Sequence, residues 1–364
     1  MTEAIVTSRP LPLLEGGYSG KTAATQGGSD QGQAIAFQGA EQLTLSPSQG
    51  DPYLLAEQLL SQNQGLLPLS EADSYSNAFS RSMSSSAEEI QDDSRQLHRE
   101  LQQSTDHYNK ANANSAARAA STPGDVGTPP HIEALENLIS TIHGDYQKTY
   151  SEINQKAAEF MKDVNTAVGK ISDYIGAGSD GRIRFEVQAF LKNMAGAFSK
   201  YTSDKLETKA DFMGWSPNNS SVKPIYTFTG KVDAATRDFW QKKLGDGFTV
   251  VERNMPVGMD VGPGNIIIPK FEDRTIILPN INPIKQIYST VVHAHVGWDA
   301  GGEISSQGFQ SVQSAIDSQK NGVNSSVSQL LERFRQDNST FETMIQLLTK
   351  MTEDLHRYNA GYIQ

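Results

Sequence analysis

Apolar residues recur every three or four positions along two long stretches of the chain, one central and one C-terminal. The first begins after Thr128, where Pro129 suits the first turn of a helix, and ends at Gly176 and Gly178. A helix of about 45 residues is roughly 70 Å long. Its stripe is Leu135, Ile139, Ile142, Tyr146, Tyr150, Ile153, Ala157, Phe160, Val164, Ala167, Ile171 and Tyr174. Successive residues of the stripe are alternately four and three positions apart. The exception is a stutter between Ile142 and Tyr150, where two steps of four follow each other.

The second stretch runs from about residue 306 to residue 358 with the same heptad spacing. Polar pairs at 319–320 and 337–338 interrupt its seam, where they cost stability and can fix the register. The two helices predict a long antiparallel intramolecular coiled coil, and two separate intermolecular coiled coils are the alternative. The predicted seam contains Ile142, Ile153, Phe160, Val164, Ile171, Val327, Phe334, Phe341, Ile345 and Leu348.

The N-terminal third has a weaker hydrophobic pattern. Residues 1–50 are rich in Gly, Ser, Thr, Gln and Ala, a composition that predicts a disordered leader. Residues 51–125 contain two weakly amphipathic helices, near 54–60 and 83–108, and a linker at 113–126. Because neither helix can bury its stripe alone, we expect a helical hairpin folded onto the rest of the chain.

Residues 179–304, between the long helices at 128–178 and 305–364, mix helix and strand signals. We expect helices at 185–206, 233–244 and 282–292, strands at 225–229 and 248–252, and a strand pair at 266–268 and 275–278 around a turn at 270–273. The predicted fold class is mainly α, with an inserted α+β module, a long antiparallel coiled coil and an N-terminal helical hairpin.

The formal net charge of -11 argues against a nucleic-acid partner, because phosphate repulsion is not offset. The absence of cysteine excludes a disulfide scaffold. The sequence has no apolar run of about 18 residues and no signal-peptide pattern at its N-terminus. An exported chain of this kind would need another route.

Catalytic and metal-binding motifs are absent from the sequence. The histidine pair His293 and His295 has only Asp299 nearby, so a surface role is favoured over a metal site. The Gly-rich segment 257–265 lacks the GK[ST] ending of a phosphate-binding loop. We therefore predict no enzyme activity, no catalytic residue, no metal and no cofactor. The tryptophans expected in the core of the module are Trp215, Trp240 and Trp298.

Two segments of the last helix resemble a known family. Residues 338–348 read Asn-Ser-Thr-Phe-Glu-Thr-Met-Ile-Gln-Leu-Leu, and Phe309-Gln310 with Gln313-Ser314 opens the helix. These segments, and Gly181 after the first long helix, resemble the type III secretion needle-tip proteins, the family of invasion plasmid antigen D, SipD and BipD. The resemblance runs from about residue 130 to the end. The sequence departs from it at Gln346, where relatives carry Lys, and in a longer module around residues 257–273.

The resemblance implies a virulence protein that is secreted through the needle by a signal in about the first 20 residues. It implies that the N-terminal hairpin is a self-chaperone covering the coiled coil. It further implies that about five copies cap the needle subunit at the bacterial surface, restrain effector secretion and support the hydrophobic translocator proteins in host invasion. The host membrane is then contacted only indirectly. Some relatives bind bile salts, so bile-salt binding is an expectation by resemblance.

By analogy with the family's C-terminal helix, the predicted needle or oligomer interface is Asn338, Gln346, Lys350, Glu353 and Arg357. The pattern leaves two interpretations of Asn338: a polar layer in the seam, which is favoured, or a bend in the helix that is used in assembly. Two other functions stay open. One is a flagellar-type filament or hook-associated protein, although its first coiled-coil segment would be expected nearer residue 1. The other is an exported effector enzyme.

Overall fold

A computed structural model describes residues 34–35, 43–44, 51–62, 86–121, 130–218, 220–261, 267–294 and 302–362. The helices are α1 (Pro52–Gln62), α2 (Ala87–Ser121), α3 (Pro130–Thr141), α4 (Lys148–Gly169), α5 (Val187–Phe198), α6 (Lys209–Gly214), α7 (Ala234–Leu244), α8 (Asn282–Val292) and α9 (Ser306–Tyr362). The strands are β1 (Ala34–Ile35), β2 (Leu43–Thr44), β3 (Ile175–Ala177), β4 (Ile183–Phe185), β5 (Tyr226–Thr227), β6 (Phe248–Val261), β7 (Ile267–Pro279) and β8 (Gly302–Ile304). The predicted class, mainly helical with a small inserted sheet module, is confirmed.

Helices α3 and α4 form one rod, joined by a π-helical turn at Ile142–Gln147 and extended by a 3-10 turn at Lys170–Tyr174. The π turn occupies the predicted stutter. A π turn holds more than four residues, so side chains four apart stay on one face and the four-four step keeps its stripe directed at the partner helix. A break in heptad spacing was therefore a readable signal of local helix geometry.

The rod packs antiparallel against α9. Hydrogen bonds join Asn165 to Asn324 (2.7 Å), Tyr150 to Asp337 (2.7 Å) and Gln147 to Asn338 (3.2 Å). Residue numbers therefore decrease along the rod as they increase along α9. Of the ten predicted seam residues, Ile171 is half-buried and the other nine are buried. We call the rod and α9 together the stalk.

The two N-terminal helices lie on the stalk. α1 contacts α9 and α3, whereas α2 contacts α9 and α4. Within the predicted stripe of α2, Ile90, Leu97 and Leu101 are buried and Tyr108 is half-buried. Met83, the first residue of that stripe, and most of the predicted leader lie outside the described residues. The segment that joins α1 to α2 also lies outside them. The linker predicted at 113–126 is wrong as far as Ser121, because α2 continues to that residue.

The inserted module contains two three-stranded antiparallel sheets. Strands β3, β4 and β8 form one sheet where the stalk helices meet the module, in the order β3-β4-β8. The predicted Gly-rich turn lies between its first two strands, where Asp180 (φ 49°) and Gly181 (φ 75°) adopt the left-handed conformation that glycine tolerates best. The second sheet has the order β5-β7-β6.

Two predictions for the module are wrong. The helix predicted at 185–206 ends at Phe198, and residues 202 and 222 form a β-bridge instead. The turn predicted at 270–273 is extended strand: β6 and β7 form one long hairpin, in which Lys270 faces Gly258 and Asp273 faces Asn254. Its polar residues resembled a turn because they lie on a segment that the other described elements leave largely exposed.

Candidate functional site

The polar interruption predicted in the seam of α9 is a buried layer that joins three helices. The Asn338 Oδ1 atom accepts hydrogen bonds from Ser104 Oγ of α2 (2.8 Å) and from Gln147 Nε2 of the π turn (3.2 Å). Ser104 is fully buried and Asn338 is 7% exposed. An amide in an otherwise apolar seam costs stability unless it is bonded, so this layer fixes the register of α2 on the stalk.

The neighbouring residue, Asp337, is the centre of a second polar layer. One carboxylate oxygen accepts from the Tyr150 hydroxyl of α4 (2.7 Å), and the other accepts from Lys243 Nζ of α7 (2.7 Å). The Asp337 side chain is 4% exposed and the Lys243 side chain is 17% exposed. A buried carboxylate needs such partners, so Lys243 ties the inserted module to the stalk.

Helix α1 completes this second layer. Asp51 caps its first turn by accepting from the backbone N–H of Tyr53 (3.0 Å), and Asp51 Oδ2 lies 3.6 Å from Lys243 Nζ. The Tyr53 ring stacks on that of Tyr150 at 5.7 Å, and Lys243 Nζ lies 5.2 Å from the Tyr53 centroid. Lys243 therefore contacts α1 and also pairs with Asp337 of α9.

Burial changes the proton affinity of these groups. Burial raises the pKa of Asp337 to about 6, against the opposing effects of Lys243 and the Tyr150 hydroxyl. Burial likewise raises the pKa of Tyr150 well above its usual value, with Asp337 adding to the shift. Tyr150 therefore stays protonated and remains the donor to Asp337 at neutral pH.

Further contacts of α2 with the stalk are polar and lie nearer the surface. His107 Nδ1 lies 3.1 Å from Glu342 Oε2, and Arg335 Nη2 lies 3.6 Å from Asp93 Oδ1. The His107 side chain is 61% exposed, so its pair with Glu342 contributes less than about 1 kcal/mol, whereas the Arg335 side chain is 18% exposed. These polar pairs add to the apolar stripe that holds α2 on α9.

The structure divides the predicted interface residues. Lys350, Glu353 and Arg357 are exposed on the last turns of α9, and Gln346 is half-buried. Asn338 is not a surface residue in this state, because α2 and the π turn cover it. The favoured interpretation of Asn338, a polar layer in the seam, agrees with this burial, and its place in a needle or oligomer interface stays a prediction.

Of the other candidate residues, those that the structure describes lie in the core or on the surface. Trp215 and Trp240 are buried in the core, and Trp298 lies outside the described residues. His293 is exposed on the last turn of α8, with Nδ1 at 2.7 Å from the Ser289 carbonyl. Within the described ranges, no group of three or more acidic or histidine side chains is arranged to hold a metal ion. In the same ranges, no helix combines the length and hydropathy needed to cross a bilayer.

Sequence reasoning missed Ser104, Lys243 and Asp51 as members of the polar layers. Ser104 lies on the polar-rich stripe of α2, which was a usable signal for a layer partner. Lys243 and Asp51 gave no comparable signal, since each is separated from Asp337 by many residues and meets it only through the fold.

No protein-family description and no curated protein sequence matches this chain. Solved structures of BipD from Burkholderia pseudomallei are similar to it. BipD, described as a component of the type III secretion system, is 14% identical with a TM-score of 0.49, covering 74% of this chain and 81% of that one. A second BipD structure, described as an invasion protein associated with that system, is 15% identical with a TM-score of 0.49, covering 74% and 82%. A third is 15% identical with a TM-score of 0.41, covering 74% and 75%.

Proposed function

We propose that this chain is a non-enzymatic cap protein of a type III secretion needle. In this role it is exported by its leader, assembles as about five copies on the needle subunit at the bacterial surface, restrains effector secretion and supports the hydrophobic translocator proteins. The stalk helices pack as a coiled coil, and the exposed residues Lys350, Glu353 and Arg357 contact the needle or a neighbouring copy. Two observations support the proposal. The sequence of residues 338–348 resembles the needle-tip family, and α1 and α2 cover the stalk.

The coverage of Asn338 by α2 is the observation that carries the proposal. At the Asn338 layer the cost of releasing α2 is low, because water replaces the hydrogen bonds that are lost there. A partner that binds only the uncovered stalk shifts this equilibrium by its differential affinity. α1 and α2 therefore act as a self-chaperone, and the surface around Asn338 becomes available to the needle when α2 leaves.

Deleting the coding sequence from the native bacterium tests the proposal. We expect needles to form in normal number, effectors to enter the medium without host contact, and translocator-dependent lysis of red cells to be lost. Complementation with the intact chain should restore both phenotypes. Loss of the filaments themselves would favour the flagellar-type alternative, and unchanged secretion and lysis would favour an effector; either result contradicts the proposal.

A further inference from the structure

The long β-hairpin of the module extends beyond the described elements that pair with its two edges. Strand β5 and the residues after it pair with the outer edge of β7 only as far as Thr275, which bonds to Phe228 and Gly230. The Gln241 side chain covers the outer edge of β6 at Phe248 and Val250. We call the rest of the hairpin, residues 254–261 and 267–273, the arm.

One face of the arm is apolar and exposed. Directly opposed residues share a face, and the register pairs Met259 with Pro269 and Pro256 with Phe271, with Ile267 two residues further along β7. Met259 is 75% exposed, Ile267 64% and Phe271 52%. We call these five residues the apolar face. Such alternation is typical of a strand that is buried on one side, yet the described part of the chain buries nothing against this side.

The opposite face of the arm has a different character. Lys270 and Glu272 form an ion pair there at 3.1 Å, and Glu272 also lies 3.8 Å from Arg274. Ile268, at 47% exposure, lies on this face with Met255, which is half-buried against the core. The arm is therefore amphipathic, and Asp273, bonded to Asn254 at its base, is the charged residue of the arm on the same side as the apolar face.

Each edge of the arm has a proline at a position where the backbone faces outward. Thr275 and Ile277 direct their backbone groups outward to β5 and its flanks, so the alternate residue Pro269 is also at an outward position. Val250 likewise bonds outward to Gln241, which places Pro256 at an outward position of β6. Proline has no N–H to offer at either edge, a known device against edge pairing. A partner therefore fits the apolar face better than either edge.

We propose that the apolar face is a homotypic contact, which packs on the same face of the arm of a second copy of this chain. Residues of the apolar face have no ionisable groups, so two chains of net charge -11 repel least there. Outside the arm, the large apolar residues with comparable exposure among the described residues are Leu54, Ile175 and Met213, each on a different element. The arm of a second copy is thus the matching apolar surface that this chain itself supplies.

A membrane fits the arm less well than a second copy. A two-stranded hairpin with free edges would bring unpaired backbone groups into hydrocarbon. The acidic chain would also be repelled by anionic lipid headgroups.

The area of the contact determines its strength. The area that five side chains on a two-stranded face can bury is well below the about 800 Å² per partner of a stable interface. Two arms alone therefore form a weak, concentration-dependent pair. This pairing is a property of the purified chain and does not depend on the proposed needle role.

Single-cysteine variants test the contact cleanly, because the natural chain has no cysteine. We expect Met259→Cys, on the apolar face, to form homodimers with a short bis-maleimide at least tenfold faster than Lys270→Cys on the opposite face. Adding Phe271→Ser to the Met259→Cys chain should remove this difference, and adding Ile267→Ser should do the same. Circular dichroism checks that each variant is folded.

Equal rates for Met259→Cys and Lys270→Cys, or rates unaffected by either serine substitution, would overturn the proposal. So would flotation of the intact chain with neutral phosphatidylcholine vesicles that Phe271→Ser abolishes, since this would identify a lipid surface as the occupant. A chain that pairs through its arm but never reaches needles would contradict the needle role and leave this contact standing.

Discussion

Ser104 in α2 and Asn338 in α9 are separated by 234 residues in sequence, and their side chains are joined by a buried hydrogen bond of 2.8 Å. The same Asn338 oxygen accepts from Gln147, so α2 shares a polar layer with both stalk helices. When α2 leaves, water can satisfy the exposed amide, whereas an apolar layer would be left uncovered. The layer thus gives α2 a defined register at a low cost of release.

Replacing Ser104 with Ala should weaken the docking of α2. The substitution removes the shorter of the two hydrogen bonds to Asn338, and we expect the free energy of unfolding to fall by about 1 kcal/mol. Urea denaturation followed by circular dichroism measures this change. The matched control is Ser172→Ala on the exposed 3-10 turn, which should change stability by less than about 0.5 kcal/mol. Equal effects of the two substitutions would show that the buried layer does not hold α2.

Stability should depend on pH through Asp337. Its pKa in the folded chain is about 6, above the value of about 3.9 for an exposed Asp, so the folded state binds the proton more tightly. The free energy of unfolding that protonation of Asp337 contributes is therefore fully present below the pKa of this group in the unfolded chain, and it is lost as the pH rises through about 6. Between pH 5 and 7 we expect a loss of about 1 kcal/mol relative to Asp337→Asn, which cannot ionise.

The groups that face Asp337 are Lys243 from α7, Tyr150 from α4, and Asp51 and Tyr53 from α1. Other titrating groups, among them His143 with a pKa lowered by burial, cancel when the two chains are compared. Urea unfolding of both chains across this pH range measures the difference. Parallel stability curves would contradict the assignment of a raised pKa to Asp337.

Tethering α2 to α9 should block cap assembly without unfolding the chain. His107 and Glu342 contact each other across the two helices, so a His107→Cys, Glu342→Cys chain can be linked by a short bis-maleimide. Because α2 then cannot leave, we expect the linked chain to fail to bind purified needles in a sedimentation assay. Each single-cysteine chain, treated with the same reagent, is the control and should bind normally. Binding by the linked chain would show that release of α2 is not required.

Charge reversal on the last turns of α9 should prevent needle binding while preserving the fold. Lys350→Glu with Arg357→Glu changes the sign of two exposed positions, and we expect binding to fall at least tenfold with a change in stability of less than about 1 kcal/mol. The matched control, Lys192→Glu with Lys209→Glu, places the same charge change on exposed positions of the inserted module. Equal binding by both double variants would exclude this surface as the interface.

The sequence predicted the elements whose signal is local and periodic. Heptad spacing located both stalk helices, and the break between Ile142 and Tyr150 coincides with the π turn. Burial of a long stripe overrides the propensities of single residues, so such helices can be read from spacing alone.

The parts that the sequence did not predict depend on contacts between distant segments. Lys243 pairs with Asp337 across 94 residues, and no spacing rule connects the two positions. The segment from Lys270 to Asp273 was predicted as a turn because its polar residues are typical of one. Its strand conformation comes from pairing with residues 254–258 of β6, and a pairing of this kind is decided by register rather than by composition.

Immunogold electron microscopy of needles from the native bacterium tests the central claim most directly. Needles labelled with antibody against this chain should have gold at their distal ends alone, and a strain lacking the chain should show none. Gold along the length of the filaments, or needles without gold while the chain is found inside host cells, would contradict the cap assignment.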